Sequence, residues 1–210
     1  MTTDQTDRDA VTGTDATQTD GRTARRDRNR EAVLDAALAL FTAGELEPTA
    51  AAVAERSGVS LRSVYRYYED QEALLRAAIA RSLERNLPHF EIPDLGVGPL
   101  AARIERLVDR RLALHDHVGA MARAAVVRAR SNQLVADQLA HRLAVLRAQH
   151  EAMFAPELDA LPPQERADLV AVLDLVVGYD AFEQLRFTQG RSRAETRRIL
   201  VGALRAVLGA

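Results

Sequence analysis

Apolar residues recur at helical spacing along most of this chain. In EAVLDAALALFTAG, Val33, Ala37, Leu40 and Phe41 fall on one side of a helix, and Gly44 closes it. Residues 49–56 and 60–68 read as two short helices. Residues 70–87 follow, with Asp70 as the N-cap and Leu74, Leu75, Ala78, Ile79 and Leu83 on one face. HFEIPDLGVGP interrupts the periodicity, and Pro99 suits the first turn of the next helix. Further helices are expected over roughly 99–116, 118–130, 132–154, 163–188 and 192–208. The last opens on SRAE, where Ser192 and Glu195 have the spacing of a capping box. No stretch sustains the alternation of a strand, and the valine-rich run LVAVLDLVVGY is too long for one. The predicted fold class is all-α, without internal repeats.

The beginning of the chain breaks this pattern. Residues 1–21 are rich in Thr, Asp and Gln and carry almost no large apolar side chain. They cannot offset their ordering entropy, so a disordered tail is expected there. The next segment, RTARRDRNR, is strongly basic. Three parts follow: a tail over 1–21, a small helical domain over 22–79 and a larger one over 80–210.

The densest chemistry lies in residues 50–69, AAAVAERSGVSLRSVYRYYE. Two short helices meet at Gly58, where glycine permits the left-handed conformation of a tight turn. Ala54 is small where two helices would cross, and Val53, Val59, Val64 and Tyr68 supply the inner contacts. This is the pattern of a helix-turn-helix whose second helix starts at the N-cap Ser60. Its outer face carries Arg62 and Arg66, four residues apart and able to reach guanine edges or phosphates. Ser60, Ser63, Tyr65 and Tyr67 offer hydroxyls to phosphate oxygens, and Leu61 can meet a thymine methyl. Two packed core helices would rarely keep this many arginines and tyrosines together.

Residues 30–79 resemble the DNA-binding domain of the TetR family of bacterial transcriptional regulators. The resemblance rests on Ala37, Phe41, Gly44, Thr49, Val53, Ala54, Gly58, Val59, Ser60, Val64, Tyr65, Glu72 and Leu74. It implies a ligand-responsive regulator, most simply a repressor, that binds a palindromic double-stranded DNA operator as a homodimer. It adds Thr49 and Gln71 to the DNA-contacting set. Gln71 stands where the family usually has a phosphate-binding lysine, so one electrostatic contact is gone. Tyr68 replaces the usual Phe. The cluster Arg22, Arg25, Arg26, Arg28 and Arg30 either compensates at phosphates or an adjacent minor groove, or is a solvated arm.

The resemblance also implies dimerisation through the last two helices and an effector pocket within the larger domain. DLVAVLDLVVGYDAFEQL is apolar on more than one face and needs cover on both. Ile199, Leu200, Ala203, Leu204, Val207 and Leu208 form a wide stripe on the final helix. Candidate pocket residues are His115, Met121, Arg128, His141, His150, Met153, Phe154, Tyr179, Asp180 and Phe182. No single effector follows from them. Only 4% of residues are aromatic, which favours an aliphatic lining. His115 and His117 point to different sides of a helix and make no metal pair. Glu183 has the spacing to pair with Arg186.

Bulk composition narrows the classes further. The 210 residues carry a net charge of −2, so any DNA site must be local. All 28 basic residues are arginine, spread over the whole chain, which a GC-rich coding sequence explains most simply. There is no cysteine, and neither a transmembrane run nor a signal-peptide core is recognisable; a cytoplasmic protein without metal or cofactor is expected. H-E-x-x-H, phosphate-loop and local Ser/His/Asp motifs are all missing. This argues against the rival reading of an all-α enzyme. A second rival, a helical carrier with a degenerate DNA head, draws its weight from Gln71. Binding to duplex DNA separates the three.

Overall fold

The computed structural model describes residues 14–209, with the backbone alone for residues 14–20 and Arg22. Its elements are α1 (Thr14–Thr42), α2 (Ala50–Ser57), α3 (Leu61–Tyr67), α4 (Gln71–Phe90), α5 (Leu100–Arg128), α6 (Gln133–Met153), α7 (Ala155–Leu158), α8 (Pro163–Val176), α9 (Tyr179–Glu183), a π-turn (Gln184–Thr188) and α10 (Arg193–Leu208). Among the described residues there is no strand. The chain divides into two compact units, one ending at Arg81 and the other beginning at Ser82. The division falls inside α4, two residues beyond the expected boundary.

In the first unit, α1 contributes Val33, Ala36 and Ala37 to a core shared with Val53, Ala54, Val59, Val64, Tyr68, Leu74 and Ala78. Val33 and Val53 are fully shielded from solvent. Arg81 on α4 grips Asp35 on α1 through two hydrogen bonds of 2.7 and 2.9 Å. That fork fixes the angle between the helices as well as their spacing. Asp70 caps α4 by accepting from the Ala73 amide at 2.7 Å. The first helix corrects one expectation. It starts at Thr14, so residues 14–21 are helical rather than part of a disordered tail. A weak local preference there is extended by the stronger helix that follows, since adding a residue to an existing helix is far easier than nucleating one. Residues 1–13 of the expected tail lie outside the described residues.

The second unit packs Ile104, Leu107 and Leu112 of α5 against Met153, Phe154, Leu158, Leu173, Phe182, Leu200 and Leu204. The two helices expected over 99–116 and 118–130 are one, α5. Nothing between them breaks a helix: no proline intervenes, and a single Gly119 costs only about 1 kcal/mol. The helix expected over 163–188 is instead broken at Val177 and Gly178. A Cβ on Gly178 would stand 2.3 Å from the Asp174 carbonyl oxygen, so the break has room for glycine and not for a side chain. The capping box at Ser192 and Glu195 is formed as expected. Leu200 and Leu204, expected in the stripe that meets a partner, are buried in this subunit's own core. Beside them on α10, Ile199 and Ala203 are half-buried and Val207 is exposed.

Arginines also enter this core. Arg103 donates to the Gly98 and Met153 carbonyls at 3.0 and 2.6 Å and pairs with Glu157. Arg111 donates to Gln149 Oε1 at 3.0 Å, and its Nε lies 3.3 Å from His150 Nε2. His150 Nδ1 in turn is 2.9 Å from Asp174 Oδ1. Neutral His150 satisfies both contacts, accepting at Nε2 and donating at Nδ1. Burial, reinforced by the Arg111 charge, depresses its pKa from 6.5 to about 4. The unfolded chain therefore binds a proton near pH 6.5 that the folded protein refuses until about pH 4. Stability from this site is complete above 6.5 and is lost as pH falls through that window. Chemical denaturation should show a loss of about 2 kcal/mol between pH 7.5 and 5 that His150→Gln does not share. An identical slope in both proteins would contradict the assignment.

Candidate nucleic-acid interface

The turn between α2 and α3 is closed by local chemistry at three positions. Thr49 caps α2, its side chain accepting from the Ala52 amide at 3.1 Å. Gly58 ends α2 with φ at 68°, the left-handed region. Open space surrounds its missing side chain, so backbone conformation is what favours glycine there. Ser60 caps α3, accepting from the Ser63 amide at 3.3 Å and donating to the Ser63 hydroxyl at 3.0 Å. Two serine hydroxyls read in the sequence as phosphate donors are thus already engaged with each other.

The sidedness of α3 is clear. Val64 and Tyr68 are buried while Leu61, Arg62, Tyr65 and Arg66 are exposed, Tyr65 to 58%. Arg62 has no hydrogen bond or ion pair with the described residues. The Arg66 guanidinium lies 5.3 Å from the centre of the half-buried Tyr67 ring and donates to its hydroxyl at 3.4 Å. Stacking of this kind pre-orients a guanidinium at little cost. Gln71, at the start of α4, donates to the Pro48 carbonyl at 3.3 Å. Its amide thereby ties α4 to the entry of α2 and is not left free.

One contact was hidden in the arginine cluster. Arg30 of α1 lies 5.6 Å from the centre of the Tyr68 ring, and its Nε donates to the Tyr68 hydroxyl at 3.4 Å. The replacement of Phe by Tyr at this position was the available signal, because it places a hydroxyl at the edge of a packed ring. Arg81 carried no such signal: its partner Asp35 is 46 residues away.

The candidate pocket residues, all in the second unit, do not form one set. His115, Tyr179 and Phe182 come together: the His115 ring is stacked on Phe182 at 5.1 Å between centroids and tilted to Tyr179 at 5.9 Å. Met153 and Phe154 are fully buried in the apolar core, and His150 belongs to the polar network described above. Met121 receives a contact from the Ser82 hydroxyl at 2.9 Å, and Arg128 donates to Ser131 at 3.1 Å. His141 and Asp180 are exposed and line no interior site.

Three residues that the sequence did not single out as pocket members complete the His115 cluster. Glu183 accepts from Arg123 at 2.9 Å and lies 3.0 Å from His115 Nε2, while Arg123 covers the exposed Phe187 at 4.4 Å. Glu183 is therefore not the partner of Arg186, which faces Asp116 at 3.8 Å. The switch from α-helix to π-turn after Glu183 removes the regular three-residue spacing that the pairing needed. Burial pushes the Glu183 carboxyl up, but Arg123 and His115 outweigh it and hold it below its ordinary range. Burial and the Glu183 charge push the Tyr179 phenol up to about 12.

Residues 33–78 match the family model of bacterial regulatory proteins, tetR family. The HTH-type transcriptional repressor LfrR of Mycolicibacterium smegmatis is 35% identical over 91 residues, which cover 42% of this chain and 47% of that protein. The chain thus spans about half the length of the curated relative it matches. The crystal structure of a tetR-family transcriptional regulator from Streptomyces coelicolor superposes with a TM-score of 0.66, covering 86% of this chain and 80% of that one. At 24% identity this is a likeness of fold.

Proposed function

We propose, for a chain that belongs to the tetR family of bacterial regulatory proteins through residues 33–78, that it is a DNA-binding transcriptional regulator and acts as a repressor on a palindromic operator. The observation that carries this reading is the outward face of α3. A capped helix on a glycine turn presents Leu61, Arg62, Tyr65 and Arg66 to solvent, while its other side is locked into the core. Arginines suit guanine edges and phosphates, and Leu61 suits a thymine methyl.

A palindrome requires a two-fold dimer. Support comes from apolar side chains on α8 and α10 that the subunit leaves uncovered: Val172, Leu175 and Val207, with Leu175 73% exposed. The effector site is best placed at the His115, Tyr179 and Phe182 cluster, where the Tyr179 hydroxyl is shut off from solvent beside Arg123 and Glu183. Effector and operator are then linked through one equilibrium, so each weakens the other by the same factor. A regulator of this kind needs no catalytic group. Among the described residues no helix is long and apolar enough to cross a membrane.

Footprinting at 150 mM salt on the DNA flanking the protein's own coding region tests the reading. The expected result is symmetric protection of two half-sites about 34–36 Å apart, or a multiple of that spacing. No protection at any protein concentration that saturates control duplexes would sink it.

A further inference from the structure

The apolar face of α1 continues past the domain it packs on, and there it turns basic. Val33, Ala36 and Ala37 are buried against α2 and α3. Arg26 and Arg30 stand two helical turns before Val33 and Ala37, and Arg25 stands three turns before Ala36. Whole turns of an α-helix return to the same face. All three arginines therefore lie along the line that, further on, faces the helix-turn-helix. The opposite face is occupied differently, by Glu31 and Asp35, which hold Arg81 of α4.

Arg30 marks where this stripe meets the reading head, because it rests on Tyr68, the residue that caps α3 at its C-terminal end. Arg25 and Arg26 lie one turn further out. Both are exposed and have no hydrogen bond or ion pair with the described residues. Two unpaired arginines on the core-facing line of a helix are not built to receive apolar cover. It suits an anion running past the end of α3.

We infer that the N-terminal half of α1 is a second DNA-contacting element, in which Arg25 and Arg26 engage the phosphate backbone flanking the duplex that α3 reads. This rests on the DNA-binding reading above and extends it to a sequence-independent contact. Arg28 lies on the same helix but away from the stripe, and takes no part.

The test uses the full chain and a duplex that it enriches from a random library. Two forms of that duplex are compared: one with about ten flanking base pairs on each side, a full helical turn, and one trimmed to the recognised core. Anisotropy titrations over a range of salt give affinity and salt slope. Arg25→Gln/Arg26→Gln should lower the slope on the long duplex by about 1.8 for each subunit bound, since each phosphate contact contributes about 0.9. Its affinity for the long duplex should fall roughly ten-fold or more at moderate salt. The trimmed duplex should show little change, and Arg28→Gln should match the parent on both. Circular dichroism confirms that helix content is retained. A double variant with the parent's slope and the parent's preference for the long duplex overturns the inference alone. So does an equal loss on both duplexes, an equal effect of Arg28→Gln, or a change confined to oligomeric state. A full chain that enriches no duplex overturns the DNA-binding reading, and this inference with it.

Discussion

Arg62→Ala/Arg66→Ala should abolish specific operator binding while leaving the protein folded. Each arginine that makes a bidentate contact to a base edge contributes about 1–3 kcal/mol of discrimination. The pair together is worth about 2–6 kcal/mol if the contributions add, a loss of roughly thirty-fold to more than ten-thousand-fold. The fold has little to lose. Arg62 has no partner among the described residues, and Arg66 gives up only its contact with the Tyr67 ring and hydroxyl. The Tyr67 stacking makes the two sites unequal, with Arg66 held in place before DNA arrives and Arg62 ordered on binding. Anisotropy on the enriched duplex at one fixed salt concentration measures the effect, with a scrambled duplex as reference. Parent-like discrimination in the double variant would mean that α3 is not the reading helix.

The second large effect separates folding from assembly. Leu204 is fully buried in the subunit core. Leu204→Asp removes its packing and leaves an unpaired charge in an apolar site, a combined cost of several kcal/mol against a total stability of roughly 5–15. It should unfold the protein. Leu175 lies on α8, 73% exposed in the subunit. Surface substitutions away from special features usually change stability by no more than about 0.5 kcal/mol. Leu175→Asp should therefore fold, yet place a desolvated charge on each side of the proposed two-fold interface. Sedimentation is expected to show a folded monomer, with operator binding lost alongside. A folded Leu175→Asp dimer would put the interface on another face.

The reading head was legible because its determinants are local. Thr49, Gly58 and Ser60 each act within four residues of themselves, and a one-dimensional pattern retains such chemistry. The core face of α1 was legible for the same reason, as repetition at helical spacing. Contacts across the chain were not. Asp35 with Arg81, Glu183 with Arg123 and Arg111 with His150 join residues far apart in sequence, and each side chain is of an ordinary type. The stripe on the last helix shows a third kind of limit. Periodicity reveals that Leu200 and Leu204 face something apolar, but it does not distinguish the subunit's own core from a neighbouring chain.

Gly178 has an ordinary negative φ of −78°, so its backbone conformation is open to any residue. The constraint lies instead in the Asp174 carbonyl 2.3 Å from where a first side-chain carbon would sit. Position 178 thus separates glycine from everything else and does not grade the rest by size: alanine meets the same obstruction as leucine. Asp174 also binds His150 and Arg147 through its side chain. A single methyl at 178 would press on the backbone of the residue in the last turn of α8 that anchors the buried histidine, joining the tolerance of a surface break to the polar interior beneath it.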